Sequence, residues 1–287
     1  MEEKKEQVNL ELRYSLKKNL LKSVLIRVDY SGVTGAGVER WVDEYKDYMR
    51  TAFAEYNRGV NNNARLDLSN MEEVAKTLSI PVSEIKKETQ HIYTMTKLFH
   101  NDNPKDIVTD NVRMTVTSYF MTFYILCNEY KNIDTYLRFL SDFFTKFSTI
   151  SEYMKIRRIG IRKIGGKPFD SLKQAYCVFK PEYFFGNNVA NSFNVIQREY
   201  KDSYIMPDET LKVNYTRIYR EQKTDSGVKH AFILDIDCYV DEYTIKKNRY
   251  ELPRKIGDVM TIINNHLFEV FYFSVQKAYI ENHGDQQ

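Results

Sequence analysis

The chain has 287 residues, 43% of them hydrophobic and 14% aromatic, which is enough apolar mass for a large core and excludes an intrinsically disordered chain. Its 42 Lys and Arg against 39 Asp and Glu leave a formal charge of +3, which excludes a polyanionic partner held by net charge alone and would require a local patch instead. Cys127, Cys177 and Cys238 are odd in number and widely spaced, which fits neither a disulfide framework nor a clustered zinc site and points to a reducing compartment.

No continuous apolar segment follows the charged N-terminus, so no secretory signal is expected. The longest apolar run, Tyr119 to Cys127, is far short of the roughly 20 residues that cross a bilayer as a helix. The expectation is a soluble, cytoplasmic protein with no membrane partner.

In chain order, Val8 to Tyr14 reads as an edge strand. VLIRVDY at Val24 to Tyr30 reads as a β-branched strand closed by Gly32. Val38, Trp41, Val42, Tyr45, Tyr48, Met49, Ala52, Phe53 and Tyr56 recur at helical steps, and Gly59 stands where a C-cap glycine belongs, so one long amphipathic helix is predicted. The intervening SGVTGAG carries Gly32, Gly35 and Gly37 in the order G-x-x-G-x-G, which matches neither a dinucleotide fingerprint nor a P-loop, and it is read as a connector.

Asn70 to Thr89 has the outline of a helix-turn-helix, with Val74, Ala75, Leu78, Ile80 and Ile85 as its inward positions. Glu72, Glu73, Glu84 and Glu88 would oppose phosphates there, which favours a small helical insertion. HIYTMTKLFHND, DIVTDN and VRMTVTSYFMTFYI then read as antiparallel strands. Asn132 is placed as the cap of a helix whose stripe Ile133, Tyr136, Leu137, Leu140, Phe143, Phe144, Phe147 and Ile150, with Phe139 at its edge, is read as core. Strands are expected over Gln174 to Phe179, Asn194 to Tyr204 and Leu211 to Arg220. A closing helix is expected from about Pro253 to Asn282, apolar on most sides and fit for the core or for a subunit contact.

Two strands carry the chemistry. YMKIRRIGIRKIGGK, Tyr153 to Lys167, alternates with period two, placing Lys155, Arg157, Ile159, Ile161 and Lys163 on one face and Ile156, Arg158, Gly160, Arg162 and Ile164 on the other. HAFILDIDCYV places Ala231, Ile233, Asp235 and Asp237 on one face and Phe232, Leu234, Ile236 and Cys238 on the other. Each charged set is expensive to bury without a partner. Arg158 and Arg162 are therefore expected to face Asp235 and Asp237 across neighbouring strands as a buried network. The two aspartates, about 7 Å apart along the strand, are also the candidate metal ligands of a phosphoryl-transfer site. His91, His100, His230, His266 and His283 show no ligand spacing, and no serine or cysteine comes with a recognisable base.

The basic strand resembles the R-x-G-[LI]-R-Y-I-N motif of a sporadically distributed, uncharacterised prokaryotic protein family, matched by Arg158, Gly160, Ile161, Arg162 and Ile164, with Lys163 in the Tyr position and Gly165 in the Asn position. Leu234, Asp235, Ile236, Asp237 and Tyr239 resemble its L-D-I-D-x-Y, followed by a closing helix with Leu267, Phe268 and Phe271. The meander from His100 to Thr115 is similar to a two-strand ribbon of the same family. The family's patchy occurrence implies exchange between genomes, as for defence or toxin-related genes, and implies no activity.

These readings predict an α+β protein with two mainly antiparallel sheets packed with three long helices. The chain divides into an N-terminal half (1–167, insertion at 70–89) and a C-terminal half (168–287) that form one unit. The expected function is a non-enzymatic interaction or scaffold protein with a protein partner or a homo-oligomer and no cofactor. The alternatives are a metal-dependent enzyme on nucleotides or nucleic acid using Asp235 and Asp237, and DNA binding through 70–89.

Overall fold

The structure is a computed structural model that describes residues 8–16, 20–61, 90–98, 112–127, 133–185, 196–206, 211–225 and 227–282. The helix-turn-helix-like segment 70–89, the strand read at DIVTDN and the cap assigned to Asn132 lie outside these residues. Among the described residues there are nine strands: β1 (Leu21–Ser31), β2 (Phe53–Asn61), β3 (Gln90–Leu98), β4 (Val112–Val116), β5 (Phe120–Leu126), β6 (Lys155–Phe169), β7 (Gln197–Ile205), β8 (Lys212–Thr224) and β9 (Gly227–Asp241). The helices are α1 (Leu12–Ser15), α2 (Gly35–Glu44), α3 (Lys46–Ala52), α4 (Asp134–Phe147), α5 (Leu172–Tyr176), α6 (Glu182–Phe185), α7 (Glu242–Lys247), α8 (Ile256–Ser274) and α9 (Lys277–Glu281).

The fold is α+β and antiparallel, but it has one sheet where two were expected. The order is β2-β3-β4-β5-β1-β6-β9-β8-β7, and every neighbouring pair is antiparallel. The cause is the pairing of β1 with β6, in register at Ile26↔Ile161 and Val28↔Ile159. Both strands bury their alternate apolar residues on the same side, so satisfying their inner edges against each other fuses two meanders into one surface. One meander runs inward from β2 to β5 and the other from β7 to β9. The expected division at 167/168 falls inside β6, which is bonded to β1 on one edge and to β9 on the other.

The helices differ as well. The long helix predicted over Val38 to Tyr56 breaks at Tyr45 into α2 and α3, and the backbone turns extended at Phe53 (φ −127°, ψ 135°). Tyr56 and Gly59 therefore lie in β2, opposite Met95 and Ile92 of β3. Aromatic and β-branched residues serve either periodicity, and here ladder hydrogen bonds to β3 override the helical spacing. VRMTVTSYFMTFYI is two strands, because Thr117 turns the chain: its Oγ1 accepts from the N–H groups of Tyr119 and Phe120. Gln174–Phe179 opens in α5 rather than in a strand, with the Ser171 hydroxyl capping the Gln174 N–H. Val8–Tyr14 holds α1 rather than an edge strand. The closing helix stops at Ser274, after which Val275 bridges to Phe179 and α9 follows.

One face of the sheet is covered. Val24, Ile26 and Val28 of β1, Phe123 and Ile125 of β5, Ile159 and Ile161 of β6, and Leu234, Ile236 and Cys238 of β9 are all buried. They lie beneath a helical layer in which Tyr136, Leu140, Phe143, Phe144 and Phe147 of α4 and Val259, Met260, Ile263 and Leu267 of α8 are interior. Trp41 of α2 sits edge-on to Phe143 and Phe147 at 5.3 and 5.1 Å between ring centroids. The apolar closing helix is thus mostly consumed by its own core, with Ile262 and Phe273 its exposed large hydrophobic residues. The opposite face of the sheet carries no helix among the described residues.

Candidate functional site

Period-two alternation decides what reaches the uncovered face. Directly paired residues share a face, so the registers Arg27↔Gly160, Asp29↔Arg158 and Leu25↔Arg162 between β1 and β6 bring Arg27 and Asp29 beside the arginines of the basic strand. Arg162↔Asp237 and Ile164↔Asp235 between β6 and β9, with Asn214↔Asp237 between β8 and β9, place both aspartates on the same surface. All four residues singled out in the sequence, Arg158, Arg162, Asp235 and Asp237, meet there.

Their contacts run diagonally. Arg162 donates from Nε and Nη2 to the two oxygens of Asp235 at 2.7 and 2.5 Å, a bidentate fork whose hydrogen bonds raise the guanidinium pKa above its ordinary value. Arg158 donates from Nη2 to both oxygens of Asp237, 2.9 Å to the nearer, with Asp29 at 3.9 Å on its other side. To reach Asp237, the Arg158 side chain lies along its own strand, over Gly160 and across the ring of Tyr239 at 4.3 Å. A Cβ at Gly160 would stand 3.2 Å from Arg158 Nη2 and 3.0 Å from Tyr239 Cβ, so the glycine provides the trough the guanidinium occupies. That is a physical reason for the R-x-G pattern.

The network extends in both directions. Arg27 Nε donates to Asp29 at 2.7 Å, and its guanidinium lies over Phe120 of β5 at 4.6 Å. Asn214 Nδ2 reaches Asp237 at 3.4 Å, and its Oδ1 accepts from the Ser203 hydroxyl of β7 at 2.8 Å. Side chains are therefore linked from β5 through β1, β6, β9 and β8 to β7. At one end, Lys212 pairs with Asp241. Burial pushes the Asp241 carboxyl up, but hydrogen bonds from Lys212 and from Thr244 more than offset this and hold it below its ordinary value.

The expected burial of this network is corrected by its position. Side-chain exposure is 27% for Arg158, 22% for Asp237, 45% for Arg162 and 17% for Asp235, because the face has no helical cover among the described residues. Both carboxylates accept from guanidinium groups, and no group of three His, Cys, Asp or Glu side chains able to hold a metal ion converges among the described residues. His266 bonds Glu269 within α8 at 2.8 Å. Cys127 and Cys238 are buried and Cys177 exposed, and burial pushes the Cys238 thiol up to about 12.

Sequence reasoning singled out no role for Lys163. It shares the covered face with Ile159 and Ile161, beneath α8, and donates to Asn264 Oδ1 at 2.5 Å. Burial, with help from the charge of Arg13, lowers its pKa to about 8. The signal was present, since a lysine in strict alternation with two core isoleucines has nowhere else to point.

No helix among the described residues is long and apolar enough to cross a membrane. No model of a known protein family matches the chain, and no curated protein matches it. The family resemblance therefore rests on its motifs alone.

Proposed function

We propose that the protein is a non-enzymatic interaction protein whose working surface is the uncovered face of the sheet, and that its partner is a second copy of the chain. The observation that carries this reading is the linked row of side chains from Phe120 to Ser203 on a face without helical cover among the described residues. A solvated antiparallel face ordinarily alternates to polar residues. This one adds half-buried Leu25, Tyr124, Ile164 and Ile233 beside the charges, a composition suited to sheet-on-sheet packing.

Both signs stand along β1, β6, β9 and β8: Arg27, Arg158, Arg162, Lys212, Arg220 and Lys229 against Asp29, Asp235, Asp237 and Asp241. A surface holding both signs in alternating positions can be complementary to itself in a two-fold dimer. Its four aspartates would oppose a nucleic-acid backbone. The paired aspartates likewise favour a charge network over a metal site. The closing helix, the other candidate for self-association, is largely interior and supports it less.

Sedimentation equilibrium at micromolar protein tests the reading. The expected result is twice the 34.1 kDa chain mass, returning to one chain mass in Leu25→Glu, which puts an unmatched charge at the centre of the face. A wild-type chain that stays monomeric over that range overturns self-association. A dimer that survives Leu25→Glu moves the contact to another surface.

A further inference from the structure

On the covered side of the sheet, α8, β6, β9 and residues 13–16 and 20–21 line a cavity of about 100 Å³. Its walls are apolar, with Leu16, Leu234, Ile236, Leu267, Phe268 and Phe271 among them, while Lys163, Asn264 and Arg13 bring polar groups to it. We propose that this cavity binds a small monocarboxylate with a short apolar chain, its carboxylate held by Lys163 and Arg13 and its chain among Leu234, Leu267 and Phe268.

Three observations select that chemistry. An ammonium has three donors and no acceptor, and Lys163 makes one hydrogen bond among the described residues, to Asn264. Arg13 directs Nη1 to Asn265 at 2.5 Å and Nη2 to Tyr14 at 2.6 Å, while its Nε is buried without a partner. Donors are therefore in surplus at the cavity, and an anion supplies the acceptors. The charge count among the described residues then points to the anion: Lys163 and Arg13 against Asp134, which accepts from the Tyr14 hydroxyl at 2.6 Å, leave one net positive charge. A monoanion cancels it, whereas a dianion leaves an uncompensated charge in a poorly solvated site.

Size fixes the rest. An apolar cavity of about 150 Å³ accepts benzene, so one of about 100 Å³ suits a chain of about four or five carbons. Asn264 sets the geometry, since its Oδ1 accepts from Lys163 and so orients the ammonium. Burial keeps the Lys163 pKa at about 8, and among the described residues the titratable groups around it are Arg13, Cys127 and Asp134, with Tyr14 at the rim. The site is therefore cationic below about pH 8 and loses one positive charge above it.

Titration calorimetry on the full chain tests this with pentanoate, pentan-1-ol and inorganic phosphate as probes. Pentanoate is expected to bind at pH 7 at least tenfold more tightly than either control, and to weaken as pH rises through about 8. Lys163→Met, which keeps the volume and removes the charge, is expected to lower pentanoate affinity at least tenfold and to abolish that pH dependence. No detectable pentanoate binding overturns the proposal, as does equal binding of pentan-1-ol, which removes the carboxylate's role. Phosphate binding as tightly as pentanoate removes the role of the chain. Because the two controls use the unaltered protein, the outcome does not depend on how the variant folds.

Discussion

One strand, β6, presents cations to both faces of the sheet, and the two faces treat them differently. Arg158 and Arg162 emerge on the uncovered side, where Asp237 and Asp235 of β9 meet them with hydrogen bonds of 2.9 Å and 2.5–2.7 Å. Lys163 emerges on the covered side, where the group that meets it is the amide of Asn264. On the wet face each ion pair keeps part of its hydration, so neither the desolvation cost nor the net gain is large. On the dry face desolvation dominates, and the ammonium answers by becoming easier to deprotonate. The same charge on the same strand is therefore close to neutral for stability on one side and a standing cost on the other. A cost of that kind persists more readily where a ligand or a reaction uses the group.

The largest expected effect breaks the comparison from the covered side. The fall of the Lys163 pKa from 10.5 to about 8 corresponds to about 3 kcal/mol of destabilisation at neutral pH, at about 1.4 kcal/mol per unit. The sign follows from proton binding: between about pH 8 and 10.5 the unfolded chain holds the lysine proton and the folded chain has released it. Stability therefore rises with pH across that window, and below about pH 8 the penalty is fully present. Lys163→Met removes it but leaves Asn264 without its donor, at about 1 kcal/mol. The variant should thus be more stable than the parent by about 2 kcal/mol at pH 7. Urea unfolding at pH 7, 8.5 and 10 checks both parts: the gain should shrink as pH rises, and a variant less stable than the parent at pH 7 would contradict a buried, desolvated ammonium.

The uncovered side predicts the opposite sign and a smaller size. Asp237→Ala strands Arg158, whose other neighbours are Asp29 at 3.9 Å and the Tyr239 ring, and loses the contact to Asn214. With side chains about a quarter exposed, the loss should be about 1 to 2 kcal/mol, well below the 3 to 5 kcal/mol of a fully buried pair. A cycle with Arg158→Met should give a coupling of about 1 kcal/mol. A measured loss above 3 kcal/mol would mean that something covers this face in solution, which is what the proposed dimer would do at concentrations where it forms.

The legible part of this molecule was what period two dictates. VLIRVDY, the basic strand and HAFILDIDCYV were placed as strands, the last two with the correct faces, and the charge argument brought Arg158 and Arg162 to Asp235 and Asp237. What was not legible depended on long-range choices. Whether β1 and β6 pair with each other or edge two separate sheets is decided by which strand edges meet, and nothing local in either strand encodes that. The helix predicted through Tyr56 failed because Phe53 and Tyr56 suit either periodicity until β3 supplies a ladder. The network was expected to be buried because apolar residues alternate with its charges, but alternation marks the two faces of a strand without saying which one a helix will cover. Lys163 falls in alternation with core isoleucines, but a lysine ordinarily reaches water, so the pattern alone assigns it no role.

The smallest expected effect sharpens the comparison, because it acts on the uncovered face without removing a charge. In Gly160→Ala the added methyl meets Arg158 Nη2 at 3.2 Å and Tyr239 Cβ at 3.0 Å, both tighter than ordinary contact, so the guanidinium must leave the trough that carries it to Asp237. Against that loss stands a gain, since alanine restricts the unfolded chain and glycine inside a strand costs about 0.5 to 1 kcal/mol relative to alanine. The net effect should be a loss of about 0.5 kcal/mol, and the informative quantity is its dependence on the partner. In an Asp237→Ala background the guanidinium no longer has a carboxylate to lose, so Gly160→Ala should become neutral or slightly stabilising in thermal unfolding. Equal costs in the two backgrounds would show that the glycine serves only the close packing against Tyr239. The trough, and with it the physical account of the R-x-G spacing, would then fall.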